Sequence, residues 1–360
     1  MVMGLLVVRI FIPRSPFMAK LSPHVGAECL WQICYSSRNR CQLSVRTARM
    51  DTTHLAKDMR ESIERFTQNL GQTIVGKSTA IRLVLVALFS GGHALLEDVP
   101  GVGKTLLAKS IARSIDGKFQ RVQCTPDLLP SDITGINIWN RRTEEFEFLP
   151  GPVFANVLLV DEINRATPRT QSALLEVMEE RQVTVDGRSR QVLQPFFVIA
   201  TQNPVEYQGT FPLPEAQMDR FMVSFSLGYP DADEELQMLQ RLQHGKTVAD
   251  LEACFSLSEI EELRALCRQV RVEPPLQKYI LELVRATRQD EEIVLGVSPR
   301  GSVAMHRAVQ TLAFLDGRDY ATPDDAKFLV PYVLTHRLIP SSGRNAKAII
   351  QRLLDSVAIP

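Results

Sequence analysis

The stretch A-L-L-E-D-V-P-G-V-G-K-T, residues 94–105, decides the fold. An apolar run ends in a turn containing Pro100, Gly101 and Gly103, and Lys104 and Thr105 then open an apolar helical pattern. This order predicts a strand, a glycine-rich loop and a helix. Such a loop directs backbone N–H groups and the positive end of a helix dipole at one point, which favours a polyphosphate. We expect Lys104 to reach the β- and γ-phosphates and the Thr105 hydroxyl to bind Mg²⁺.

The general phosphate-binding loop pattern has a glycine at the position of Asp98. The short motif alone is therefore weaker evidence, and its alternative interpretation is a glycine-rich turn with a surface lysine.

Composition and charge narrow the classes of protein to consider. A chain of 360 residues with a hydrophobic fraction of 45% suits a soluble protein of two or three domains. Residues 1–50 hold six arginines and Lys20 against the single acid Glu28, a charge of +6 that leaves −6 on residues 51–360. The acidic body argues against a general nucleic-acid surface. No cysteine pair has C-x-x-C spacing, which indicates neither zinc nor disulfides and favours a reducing, cytoplasmic location.

The first fifty residues allow two interpretations. The apolar run 1–12 is too short to span a bilayer, and Arg9 interrupts it. An arginine-rich, acid-poor segment resembles an organelle transit peptide. Alternatively, translation begins at Met50, directly before a helical pattern, and this is the interpretation we favour.

A second decisive stretch is V-L-L-V-D-E-I-N-R, residues 157–165. Four apolar residues predict a buried strand, and two carboxylates follow at the end that faces the ligand crevice in an α/β sheet. Adjacent buried acids need a cation. We expect Asp161 to hold Mg²⁺ and Glu162, on the other side of the pleat, to polarise the attacking water. The alternative is a pair of acids that start a helix.

Further patterns surround these two stretches. P-F-F-V-I-A-T-Q-N-P, residues 195–204, predicts a buried strand whose terminal Asn203 can hydrogen-bond the γ-phosphate or the water. Two hairpins are predicted, at 136–148 and at 183–193, with Arg188 and Arg190 at or near the tip of the second. Residues 74–76 precede a helix and either cover the adenine or pack in the core. The residues that we expect to bind the nucleotide are Ile74, Val75, Gly76, Pro100, Gly101, Val102, Gly103, Lys104, Thr105 and Leu106.

The chain changes character after L-G-Y-P-D, residues 227–231, where helical patterns replace strands. We therefore predict an α/β nucleotide-binding domain at 51–228 and an α-helical lid at 229–360. Arg300 stands at a helix start in G-V-S-P-R-G, residues 296–301. Because a cation is unfavourable there, an anion such as the γ-phosphate would explain its position; the alternative is a solvated arginine.

Taken together, residues 51–360 resemble the AAA+ ATPases, and within them the MoxR family. The loop at 94–105 resembles Walker A of that family, including its acid at Asp98, and V-D-E-I-N-R-A resembles Walker B. A-T-Q-N-P resembles sensor 1, L-P-E-A-Q-M-D-R-F (residues 213–221) the box with the arginine finger, and S-P-R-G sensor 2. The hairpins fall at the helix-2 insert and the pre-sensor-1 hairpin.

This resemblance implies a P-loop NTPase core with a parallel sheet and an all-α lid, acting on ATP and Mg²⁺. The implied catalytic residues are Lys104, Asp161, Glu162, Asn203, Arg220 and Arg300. Arg220 would reach into the neighbouring subunit's site and Arg300 would act on its own subunit's nucleotide. A ring, most simply a hexamer, follows from a finger supplied in trans.

The implied function is ATP-driven remodelling or assembly of a protein client, with a partner bearing a von Willebrand factor A domain. Two alternatives belong to the same helix-2-insert group: a nucleic-acid motor, which Arg141, Arg142, Arg188 and Arg190 would serve, and a metal-chelatase motor subunit. The acidic body makes nucleic acid the weaker expectation.

Overall fold

Five parallel strands form the centre of the protein, in a computed structural model that describes residues 52–203, 209–244 and 247–360. The extension predicted at residues 1–50 lies outside the described residues. The strands are β1 (Ala94–Glu97), β2 (Phe119–Gln123), β3 (Gly135–Asn140), β4 (Glu145–Pro150), β5 (Val157–Asp161), β6 (Gln182–Val185), β7 (Arg188–Gln191), β8 (Phe197–Gln202), β9 (Val223–Phe225), β10 (Ile293–Leu295) and β11 (Ile339–Pro340).

The helices surround this sheet and continue into the lid. They are α1 (Thr52–Thr73), α2 (Ser78–Phe89), α3 (Lys104–Ser114), α4 (Pro130–Thr134), α5 (Pro168–Glu180), α6 (Glu215–Met218), α7 (Ala232–His244), α8 (Leu257–Cys267), α9 (Pro274–Gln289), α10 (Pro299–Leu315), α11 (Pro323–Val333) and α12 (Ala346–Ser356). No helix among the described residues is both long and apolar enough to cross a membrane.

The central sheet has the strand order β2-β5-β8-β1-β9, with every pair parallel. Register places Gln123 beside Asp161, and Glu97 beside Gln202. The carboxyl ends of β1, β2, β5 and β8 therefore meet at one edge. In open parallel sheets, ligands bind outside this edge.

Alternating side chains of the strands enter two separate cores, as the two-residue period of a strand requires. Leu159 and Ile199 belong to a core that also includes α1, α2, α3 and the lid helices. Leu158 and Val198 face the opposite core, which contains α5. The first core is continuous from the sheet into the lid, so the two predicted domains share their packing.

Both predicted hairpins are present, as β3–β4 and β6–β7. The second turns at Asp186 and Gly187, whose φ angles of 50° and 74° are those of a type I′ turn. Arg190 was expected to project at or near the tip of this hairpin. Its guanidinium carbon lies 4.0 Å from the centroid of the Phe148 ring on the first hairpin. Asn137 also donates to Asp186 Oδ2 at 2.6 Å. The two hairpins are therefore joined.

The lid follows the predicted helices with three differences. The apolar pattern of residues 324–338 predicts a helix over that range, but α11 ends at Val333, two residues after Pro331, which has no N–H to donate. The helix α12 was not predicted, although Asn345 caps its first turn and Ile349, Ile350 and Leu353 are buried at helical spacing. The ribbon β10–β11 was also not predicted. The parallel sheet, the inserted hairpins and the helical lid confirm the predicted fold class.

Candidate nucleotide site

A cavity of about 320 Å³ lies at the carboxyl edge of the central sheet. It brings together the glycine-rich loop and the two acids that follow β5, which are sixty residues apart in the chain. Its lining consists of Pro100, Gly101, Gly103, Lys104, Thr105, Leu106, Arg121, Gln123, Asp161 and Glu162. Val102, which we expect to contact the nucleotide, does not line this cavity, and its side chain packs against the hydrophobic core.

The loop holds a conformation that its glycines permit. Gly101 and Gly103 have φ angles of 91° and 95°, in the left-handed region where a side chain would be strained. Gly103 directly precedes α3, so the first N–H groups of that helix open towards the loop. Lys104 Nζ donates to the Asp98 carbonyl oxygen at 3.2 Å, across the loop. Backbone donors and an ammonium group are thus concentrated at one wall of the cavity.

Asp98 takes the place of the general pattern's glycine because its carboxylate fixes the loop to the chain after β9. Its Oδ1 accepts from Ser226 Oγ at 2.6 Å and from the Gly228 N–H at 3.1 Å. Its Oδ2 accepts from the Leu227 N–H at 2.7 Å. Asp98 is 3% exposed, and these bonds offset the cost of burying its charge.

The two acids after β5 have different environments. Asp161 ends the strand, and its Oδ1 accepts from Thr201 Oγ1 at 3.2 Å. Glu162 leaves the strand with a φ of 55°, so it is not on the opposite side of the pleat as expected. Its N–H donates to Thr201 Oγ1 at 2.9 Å, and its Oε2 lies 3.0 Å from Arg165 Nη1. Thr201 on the adjacent strand therefore fixes both acids.

The charges of these two acids act on a buried thiol nearby. Burial, and then the charges of Asp161 and Glu162, raise the pKa of the Cys124 thiol to about 12. Thr105 and Asp161 line the same cavity, and hydroxyl and carboxylate oxygens are the ligands that Mg²⁺ prefers. The residues present therefore fit a magnesium ion.

Other expected nucleotide residues lie beside the cavity without lining it. Asn203 follows β8, between the strands that carry the loop and the acids, and is 8% exposed. Ile74 is buried, and its Cδ1 lies 3.8 Å from where a β-carbon on Gly103 would be. Gly76 lies under the carboxylate of Glu234 and borders a second cavity, of about 230 Å³, which extends to Leu227. Residues 74–76 therefore lie between the glycine-rich loop and the segment at which the lid begins.

Arg220 and Arg300 lie together, outside the cavity lining. Both form ion pairs with Glu179 at the end of α5: Arg220 Nε lies 3.0 Å from Oε2, and Arg300 Nη1 lies 3.0 Å from Oε1. Glu179 is thus the anion that contacts Arg300 in this structure.

The residue before Arg220 connects the lid to the core. Asp219 Oδ1 accepts from Arg337 Nε at 2.8 Å, and its Oδ2 accepts from Ser298 Oγ at 2.6 Å. Arg337 is buried, and desolvation lowers the pKa of its guanidinium to about 10. Asp219 therefore holds both arginine-bearing segments in one arrangement.

Sequence reasoning missed several of these residues. Arg121 and Gln123 come from β2, whose position beside β5 would have placed them at the site. Glu179, Ser298 and Arg337 act through contacts that join distant parts of the chain, and no local pattern indicates such contacts.

Comparison with known proteins agrees with this geometry. A family model described as "ATPase family associated with various cellular activities (AAA)" matches residues 93–223, and an AAA lid domain model matches residues 285–353. Chaperone MoxR1 of Mycobacterium tuberculosis is 41% identical, with 83% of this chain and 82% of the relative covered. Protein MoxR of Methylorubrum extorquens is 32% identical, with 78% and 88% covered.

A solved structure agrees as well. A crystal structure described as a "putative ATPase" from Cytophaga hutchinsonii superposes with a TM-score of 0.80 at 38% identity, covering 86% of this chain and 98% of that one. The two matched ranges of this chain cover the glycine-rich loop, the two acids after β5 and part of the helical lid. The chain belongs to the MoxR family of AAA+ ATPases, and its activity is ATP hydrolysis.

Proposed function

We propose that this ATPase works as a ring, most simply a hexamer, that remodels or assembles a protein client together with a partner bearing a von Willebrand factor A domain. The observation that carries the client proposal is the exposed apolar surface of the first hairpin. Trp139 and Phe146 pair across its strands with ring centroids 5.1 Å apart, yet they are 52% and 71% exposed. Exposed apolar surface of this kind is typical of protein interaction sites.

Within one subunit, we assign a separate task to each group of residues in or beside the cavity. The loop N–H groups and Lys104 bind the phosphates, and Glu162 orients and polarises the attacking water. Mg²⁺ bound by Thr105 and Asp161 would neutralise charge that develops on the phosphates. Asn203 supports the γ-phosphate or the water. The residues 74–76 meet the adenine side of the nucleotide.

The position of Arg220 and Arg300 supports the proposal of a ring. Both lie outside the lining of their own subunit's cavity and share one carboxylate, Glu179. We infer that both arginines serve the nucleotide of a neighbouring subunit, which differs from the expectation that Arg300 acts on its own. An arginine supplied in trans is worth about 10³–10⁵ in rate, so an isolated subunit should hydrolyse ATP slowly.

A trap variant tests the client proposal. Glu162→Gln should bind ATP without turning it over, and should therefore retain the client; Lys104→Ala, which loses a phosphate ligand, is the matched control. Affinity capture in ATP should enrich a von Willebrand factor A domain protein on Glu162→Gln and not on Lys104→Ala. Equal recovery on both variants would contradict the proposal. ATPase stimulation by DNA that falls steeply with salt would instead support the nucleic-acid motor.

A further inference from the structure

Arg121 is the cavity residue that no motif accounts for. It lies on β2, the edge strand next to β5 in the central sheet, and its side chain is 49% exposed. Its Nε donates to Asp161 Oδ2 at 2.7 Å, and its Nη2 donates to Gln123 Oε1 at 3.2 Å. A guanidinium therefore contacts the carboxylate that we assign to Mg²⁺.

Arg121 and Asp161 differ in how much of each side chain is exposed. The Asp161 side chain is 8% exposed, so its charge needs a cationic partner, whereas Arg121 reaches solvent and can leave at little cost. Thr201 satisfies the other carboxylate oxygen with a hydroxyl, which carries no charge. Among the residues described, Arg121 is thus the cation in direct contact with Asp161.

We propose that Arg121 is a counter-ion that competes with Mg²⁺ for Asp161, so that the site accepts the metal as a complex with nucleotide and resists the bare ion. A Mg²⁺ ion without nucleotide must displace the Arg121 guanidinium, and it gains only the Asp161 carboxylate and the Thr105 hydroxyl as protein ligands. A nucleotide brings phosphate oxygens of its own, which add ligands for the metal and offset the loss of the ion pair. This inference rests on the magnesium-dependent site proposed above and is independent of the chaperone role.

Arg165 provides a matched control. Its guanidinium pairs with Glu162 at 3.0 Å, and its side chain is 41% exposed, close to the exposure of Arg121. Removing it takes one positive charge from the same region without freeing Asp161. A general electrostatic effect would therefore appear in both variants, and competition at Asp161 would appear in one.

The test measures binding of ADP, which is not hydrolysed, to the full chain by titration calorimetry. The dissociation constant in EDTA is divided by that in Mg²⁺, for wild type, Arg121→Gln, Arg121→Lys and Arg165→Gln. We expect this ratio to rise by about tenfold in Arg121→Gln, because a charge-assisted bond no longer opposes the metal. Arg121→Lys and Arg165→Gln should stay near wild type.

A second readout uses no nucleotide. Mg²⁺ alone should raise the unfolding temperature of Arg121→Gln, whose Asp161 lacks its counter-ion, and should change that of wild type and Arg165→Gln little. An unchanged ratio in Arg121→Gln, or an equal loss of ADP affinity with and without Mg²⁺, would overturn the inference. Indifference of every variant to Mg²⁺ in both assays would refute the metal assignment itself, and the inference with it.

Discussion

At Asp98, a buried carboxylate stands where the general phosphate-binding loop has a glycine, and it accepts three hydrogen bonds from residues 226–228. Asp98 departs from the general motif, and its hydrogen bonds attach the loop to these residues. It ties the loop to the segment at which the lid begins. A residue that weakens a short pattern in the sequence can strengthen the site in the structure.

Replacing Asp98 by the glycine of the general pattern should therefore destabilise the protein. Asp98→Gly leaves the buried Leu227 N–H and two other donors without their acceptor, which should lower the free energy of unfolding by about 2–4 kcal/mol. Denaturant unfolding measures this, with the exposed Glu262→Ala as a control expected within about 0.5 kcal/mol of wild type. A stability equal to wild type in Asp98→Gly would show that the attachment carries no energy.

Residues of the site divide by how far apart their partners are in sequence. Lys104, Thr105, Asp161 and Glu162 could be predicted because each stands in a local pattern whose backbone geometry determines its position. Arg121 could not, because its partner Asp161 is 40 residues away on a different strand. The contact between Arg300 and Glu179 could not be predicted either, because these residues are 121 positions apart.

Among the elements, the two hairpins act as a unit because Arg190 and Asn137 connect them. Arg190→Ala removes the cation from the Phe148 ring, a contact worth about 0.5–2 kcal/mol. We expect faster hydrogen exchange across β3 and β4 in this variant. Arg188→Ala, at an exposed position on the same strand, should leave that exchange unchanged. Identical protection in both variants would contradict the coupling of the hairpins.

The joint between the lid and the core depends on Arg337. Arg337→Met leaves Asp219 without its buried cation, and breaking a buried pair in this way costs about 3–5 kcal/mol. Both the unfolding midpoint and ATP turnover should fall, because Asp219 directly precedes Arg220. Arg344→Ala breaks an exposed pair with Glu292 and should change neither. Full turnover in Arg337→Met would mean that the joint does not position Arg220.

Elements with a clear pattern of apolar residues were predicted well. Elements whose bounds depend on single residues, or whose formation depends on strand pairing, were not. The strands β5 and β8 are continuous apolar runs, which is typical of buried parallel strands. The sequence of residues 213–221 predicts a short helix, but α6 covers only Glu215–Met218. The ribbon β10–β11 forms between segments more than forty residues apart, and its three-residue strand has no period to detect.

For the whole molecule, the shared core has a mechanical consequence. The hydrophobic cluster runs from α1, α2 and α3 into the lid helices, so we expect a displacement of the loop to alter the packing of the lid. The same loop is fixed to residues 226–228 by Asp98. The loop that lines the nucleotide cavity is thus attached directly to the segment at which the lid begins.

The measurement that tests this account most directly mixes two inactive variants. Arg220→Ala keeps Glu162, and Glu162→Gln keeps Arg220, so an interface between the two contains one complete site if the arginine acts in trans. Each variant alone should hydrolyse ATP slowly, and an equal mixture should recover roughly a quarter of wild-type turnover in a randomly mixed ring. A mixture no more active than its two components would contradict a site completed by the neighbouring subunit.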